Sequence, residues 1–192
     1  LEASKNGKKY TLRVIADAKW INAANRQFPV TIDPAIEKSG YNDIHDTVAS
    51  STSYIEDLSA THLQVGWTSS SRELYSLVHT DLKQVLNVQT SRIIKAELWM
   101  YYRTPYSGSN TQNLQINAYR ITSDWSGKWG EAAGFLTSSE IPQYDAIPID
   151  YIITDKANTN RQGVKFDITS AAQKWAEGAA NYGIMFRAQG TY

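Results

Sequence analysis

The 192-residue sequence predicts an all-β fold, an antiparallel two-sheet sandwich with one or two short helices. Three features carry that expectation. Short segments of alternating or β-branched residues recur along most of the chain, Ser/Gly/Asn-rich turns such as Ser107-Gly108-Ser109-Asn110 separate them, and no βαβ rhythm appears.

In chain order, the extended signals fall at 10–15, at 28–32 (Phe-Pro-Val-Thr-Ile before Asp33-Pro34), and at 44–49, 62–66, 73–81, 92–103, 113–121, 147–153, 164–168 and 183–188. Two helical pieces interrupt them. The segment 17–24 is short, with Trp20 and Ile21 available to dock it on a sheet. The segment 169–177 has a Thr or Asp start, Ala171, Ala172 and Trp175 on one face, and Gly178 as a stop, so Trp175 reads as a packing anchor. Residues 123–146 are irregular and rich in Gly, Ser and Trp, the pattern of a long surface loop. Residues 1–34 form a strand-containing lead-in and 35–192 the sandwich proper, a size suited to one substantial core.

The segment 91–103 is the most informative. Side chains alternate across a strand, so Ile94, Ala96, Leu98, Met100 and Tyr102 point one way, while Lys95, Glu97, Trp99, Tyr101 and Arg103 point the other. One face is apolar; the other sets large amphipathic rings among charges, as expected of a sheet with one face on the core and one in water.

Composition narrows the chemistry. Lys plus Arg equals Asp plus Glu at 19 each, which removes the electrostatic motive for non-specific binding to nucleic acid. There is no cysteine, hence no disulfide, thiolate metal site or Cys nucleophile. That fits many secreted bacterial proteins, although cytosolic proteins can lack cysteine too. No signal peptide or membrane-spanning stretch is evident, and the Leu-Glu start and Gly-Thr-Tyr end suggest a piece of a longer protein.

Catalytic patterns are missing. His45, His62 and His79 stand in no short metal-ligand spacing, and the Gly-x-Ser-x-Gly elbow and the phosphate- and dinucleotide-binding glycine patterns are absent. No local context singles out a glycosidase carboxylate pair, so no catalytic residue is expected. Asp43 and Asp46, beside Asn42, are candidate ligands for a structural Ca2+, with a turn capped by Asn and Asp as the competing reading.

The aromatics remain. Sugars stack their C–H faces on rings and bond their hydroxyls to amides and charges. If Leu114, Ile116 and Ala118 face inward, Asn113, Gln115, Asn117 and Tyr119 face outward and continue the outward set of 91–103 on a neighbouring strand. Trp99, Tyr101, Arg103, Gln115, Asn117 and Tyr119 are therefore the candidate carbohydrate-binding face. Cross-strand pairs of ordinary sheet-forming aromatics are the alternative reading of the same residues.

Several stretches also follow a recognisable order. Trp20 precedes Arg26-Gln27-Phe28-Pro29-Val30-Thr31-Ile32-Asp33-Pro34; then come Asp46-Thr47-Val48, Leu63-Gln64-Val65-Gly66, Asp81-Leu82, Ala96-x-Leu98, Ile121-Thr122-Ser123-Asp124-Trp125-Ser126, and Phe166-Asp167-Ile168-Thr169 through Trp175, Gly178 and Tyr182-Gly183-Ile184. Over most of 26–188 this resembles the DNRLRE-type domain of large bacterial surface and Rhs (YD-repeat) proteins of the wall-associated type. Thr80 replaces the usual aromatic before Asp81-Leu82, and the loop after Trp125 is shortened around Gly127-Lys128-Trp129.

The resemblance implies a jelly-roll β-sandwich without catalysis, exported by a bacterium to the medium, cell surface or cell wall. Some such domains are carbohydrate-binding modules; others are spacers in adhesins or toxin-delivery proteins. The resulting expectation is a non-enzymatic module whose partners are a polysaccharide or cell-wall glycan and neighbouring domains of its parent, with no nucleic acid and no membrane insertion. The alternative is a structural or adhesion spacer in a large surface or Rhs-type toxin-delivery protein.

Overall fold

A computed structural model describes residues 2–6, 9–13, 17–24, 44–52, 63–69, 72–82, 93–101, 113–128, 136–154 and 162–190. The chain divides into two compact units, Leu1–Lys38 and Ser39–Tyr192. In the first, β1 (Glu2–Asn6) and β2 (Lys9–Arg13) form an antiparallel pair. A single helical turn follows, α1 (Ala18–Ile21), because the Asp17 carboxylate accepts the Trp20 backbone N–H at 2.8 Å and caps it. Trp20 is exposed and not buried against a sheet.

The second unit is an antiparallel all-β sandwich with a short helix. Its large sheet runs β3 (Ile44–Ser50), β5 (Arg72–Thr80), β10 (Ile184–Ala188), β7 (Gln115–Arg120), β8 (Asp150–Ile153), with β4 (Gly66–Ser69) also paired to β5. A second, two-stranded sheet joins β6 (Glu97–Tyr101) to β9 (Gly163–Asp167). Helix α2 (Thr169–Ala176) follows β9 directly.

The main core lies between these layers. Val78, Ala118, Ile184 and Phe186 of the large sheet meet Phe166 of β9 and the Ala171, Ala172 and Trp175 stripe of α2, with Leu98 and Met100 of β6 packed at its margin. The Phe166 and Phe186 rings sit 4.7 Å apart. Spacing i, i+1, i+4 places the α2 stripe on one face. Trp175 is buried as the spacing predicts, and Gly178, at φ +105°, turns the chain out of the helix. The polar side of α2 secures the approach to β6: Thr169 Oγ1 accepts the Ala96 N–H at 2.9 Å and Gln173 Oε1 accepts the Ile93 N–H at 2.7 Å.

The described part of the stretch 123–146, residues 123–128 and 136–146, is not the surface loop its composition suggests. With Ile121 it lies on the other face of the large sheet, where Ile121, Trp125 and Leu136 form a second core with Ala49, Tyr75, Leu77 and Met185. Leu136 bridges to Ala49 and Tyr144 to Ile121, while the Trp125 indole N–H donates to the Tyr182 carbonyl at 2.7 Å. Irregular backbone hid this role, because the apolar anchors follow neither a strand nor a helix period.

Candidate functional site

The outer face of β6–β9 is the most distinctive surface of the described residues. Leu98 pairs with Phe166 and Met100 with Val164 toward the core, so alternation turns Glu97, Trp99 and Tyr101 outward opposite Asp167, Lys165 and Gly163. Trp99 is 55% and Tyr101 74% exposed. Ile94, expected on the inner face, is exposed as well, because it precedes the regular strand.

Neighbouring side chains orient this face. The Trp99 indole N–H points at Glu97 Oε2, 3.3 Å away, and Lys165 Nζ lies 5.6 Å from the ring centroid. Both rings flank Gly163: a methyl group there would meet the Trp99 ring at 3.6 Å and Tyr101 at 3.9 Å, ordinary packing distances. Glu97 bonds Lys95 at 2.8 Å and Lys165 at 3.0 Å, and these two ammonium groups pull its carboxyl down to about 2. The same pairing raises the Lys95 ammonium above its ordinary value. The triad carries one net positive charge, which Asp167 opposite Glu97 offsets.

The sequence pattern did not place Gly163 or Lys165 in this site. The signal was the Gly163-x-Lys165-x-Asp167 alternation, which became informative only once β9 was known to be the partner of β6.

The other predicted residues lie elsewhere. Gln115, Asn117 and Tyr119 are on β7 in the large sheet, not beside β6, so the two-strand patch expected from alternation does not form. They bond to each other, Gln115 Nε2 to Asn117 Oδ1 at 2.8 Å and Asn117 Nδ2 to Tyr119 Oη at 3.2 Å. Asn117 is buried, and Tyr119 packs edge-on against Tyr144 at 5.2 Å in the second core. Arg103 lies outside the described residues, as does Asp43. Asp46 is exposed on β3, and among the described residues no three His, Cys, Asp or Glu side chains gather to hold a metal.

A groove of 730 Å³ opens near the start of α2, with Asp150, Asp167, Ser170, Gln173 and Glu177 in its lining. Its carboxylates serve the fold. Asp150 accepts the Asp167 N–H at 2.7 Å, Asp167 accepts the Thr169 N–H at 2.9 Å, and Glu177 accepts the Gln173 amide at 2.9 Å. The bonds from the Thr169 side chain and backbone hold the Asp167 carboxyl below its usual range. Beside β7 in the same sheet, Arg187 of β10 is clamped to Glu73 of β5, a pairing the sequence pattern did not reveal.

The fold and this surface define a β-sandwich module with an exposed aromatic face. No protein-family model matches it. The tRNA3(Ser)-specific nuclease WapA of Bacillus spizizenii is 25% identical over 197 residues, which cover 97% of this chain and 8% of that protein. The tRNA nuclease WapA of Bacillus subtilis and the tRNA(Glu)-specific nuclease WapA of Bacillus subtilis subsp. natto match to the same extent, 25% over 197 residues with 97% and 8% coverage. The chain thus spans less than a tenth of the length of these relatives.

These relatives overturn the functional expectation. A carbohydrate-binding module with a polysaccharide partner, no nucleic-acid partner and no enzymatic activity is not what their names describe, since all three are named as nucleases of tRNA. The toxin-delivery alternative is closer. The physical reason for the error is one of scope: charge balance and missing motifs describe only the residues over which they are counted, and the matched stretch is 8% of each relative.

Proposed function

We propose that the chain is a β-sandwich domain of a large toxin-delivery protein of the WapA kind, and that the whole polypeptide acts as a tRNA nuclease. The observation that carries this reading is the match over 97% of the chain to tRNA nucleases of which it spans 8%. The sandwich suits a building block of a long chain: its large sheet carries core residues on both faces, and the polar side chains of β7 bond to one another.

On this reading the sandwich is of the DNRLRE type and is exported, in keeping with the order of its motifs and the lack of cysteine. A structural Ca2+ at Asp43 and Asp46 belongs to the same proposal, and a fall in Tm on adding chelator is its test.

The main experiment compares full-length parent protein with a version lacking this segment. Purified parent protein should cleave tRNA, and deletion should lower intoxication of target cells. A parent that leaves tRNA intact removes the nuclease reading, and undiminished intoxication removes the delivery role.

A further inference from the structure

We propose that the Trp99–Tyr101 face of β6–β9 is the docking surface for an adjoining domain of the same long polypeptide. The proposal rests on the reading of the chain as one segment of a large protein. Most of such a protein lies outside this chain, since the relatives are covered over only 8% of their length.

Two large rings stand exposed on consecutive outward positions of one strand, Trp99 at 55% and Tyr101 at 74%. Trp and Tyr concentrate in the buried centres of interfaces, because they bring much contact area with few rotatable bonds. Two such rings bury roughly 300–400 Å² when covered, a fitting centre for an interdomain contact of about 600–1,500 Å².

The charges point to the kind of surface that covers them. Lys95 and Lys165 are matched by two carboxylates of the same face, Glu97 at 2.8 and 3.0 Å and Asp167 opposite it, so the face carries no net charge to draw a phosphate chain or an acidic peptide. The partner surface is therefore neutral, with aliphatic side chains for the rings and a hydrogen-bond acceptor for the Tyr101 hydroxyl. Pre-organisation favours the same use. The indole is already oriented by Glu97 and Lys165 beside Gly163, which lowers the side-chain freedom lost on docking.

The test is hydroxyl-radical footprinting of the 192-residue chain and of the full-length parent, read by mass spectrometry at Trp99 and Tyr101, with buried Trp125 as the slow reference. Docking predicts that labelling of both rings falls about five-fold or more in the full-length protein, as for residues in the desolvated centre of an interface. Equal labelling in the two proteins overturns the proposal. So does protection of the isolated chain that grows with its own concentration, which assigns the face to a second copy. Protection of the isolated chain by added tRNA or by a polysaccharide panel also overturns it. Cleavage of tRNA by the same full-length preparation reports separately on the parent's activity, so the two readings can fail independently.

Discussion

Arg187 on β10 holds Glu73 on β5 through two charge-assisted bonds, Nε to Oε1 at 2.8 Å and Nη2 to Oε2 at 3.0 Å. The Tyr75 hydroxyl donates to the same carboxylate at 2.9 Å, and Arg187 Nη1 donates to Tyr144 Oη at 3.1 Å. The guanidinium also lies 5.4 Å from the Tyr75 ring centroid. One buried carboxylate thus ties β5, β10 and the covering segment together.

Removing one partner strands the other. Arg187→Met leaves Glu73, only 7% exposed, without its cation. We expect a loss of about 2–4 kcal/mol in urea unfolding, at the lower end for buried pairs because Arg187 is partly solvated. The double variant Glu73→Leu/Arg187→Met should recover at least half of that loss. A double variant no better than the single one would mean that shape, not the stranded charge, sets the cost.

Tyr75 makes the same network sensitive to alkali. Burial, then the Glu73 carboxylate, push its phenol up from 10.0 to about 12. In the unfolded chain the phenol ionises near 10, while the folded chain keeps its proton until about 12, so the folded state binds more protons in this window. Stability should be full below pH 10 and fall as pH rises from 10 to 12. Tyr75→Phe should flatten the Tm profile across that range; an unchanged slope would place the loss elsewhere.

Glu97 behaves in the opposite sense. Its carboxyl is drawn from 4.5 down to about 2 by the bonds to Lys95 and Lys165. Its contribution is present above 4.5 and disappears as pH falls through about 2. A carboxyl-carbon NMR titration should show the low midpoint, and Lys95→Ala and Lys165→Ala should each raise it. If neither variant moves the midpoint, the triad does not form in solution.

Gly183 admits no side chain. Its φ is +93°, and a methyl group built there would lie 2.2 Å from the Val78 carbonyl oxygen and 3.0 Å from the His79 Cα. Both contacts are backbone and cannot rotate away. Gly183→Ala should cost about 3 kcal/mol or more. A midpoint of urea unfolding within experimental error of wild type would contradict this packing.

Two aromatic truncations should separate core from surface. Phe166 is 2% exposed against Phe186, and Phe166→Ala should cost about 3–5 kcal/mol. Trp99→Ala removes a half-exposed ring with its Lys165 contact and its exposed bond to Glu97, about 1 kcal/mol or less in the isolated chain. Comparable losses in the two variants would show that Trp99 belongs to the core.

Much of this could be read from residue order. The inward set Leu98 and Met100, the outward set Trp99 and Tyr101, and the Ala171, Ala172 and Trp175 face of α2 all sit as their spacing predicts. Each is a local property, because alternation and helical period act between residues two to four positions apart. The covering role of Trp125 and Leu136 has no such local signal, because the two follow neither a strand nor a helix period.

By itself, then, the sequence determined which faces of these strands and of α2 are apolar, and therefore an antiparallel sandwich. Tertiary structure alone decided which faces meet. It set Trp99 against Lys165 and Gly163 of β9, and not beside Gln115 and Asn117 of β7, which lie in the other sheet. Strand pairing joins residues far apart in the chain: Trp99 and Lys165 face each other although β7 and β8 lie between their strands in the sequence. That choice depends on how the whole core closes, and the period of any one segment carries no information about it.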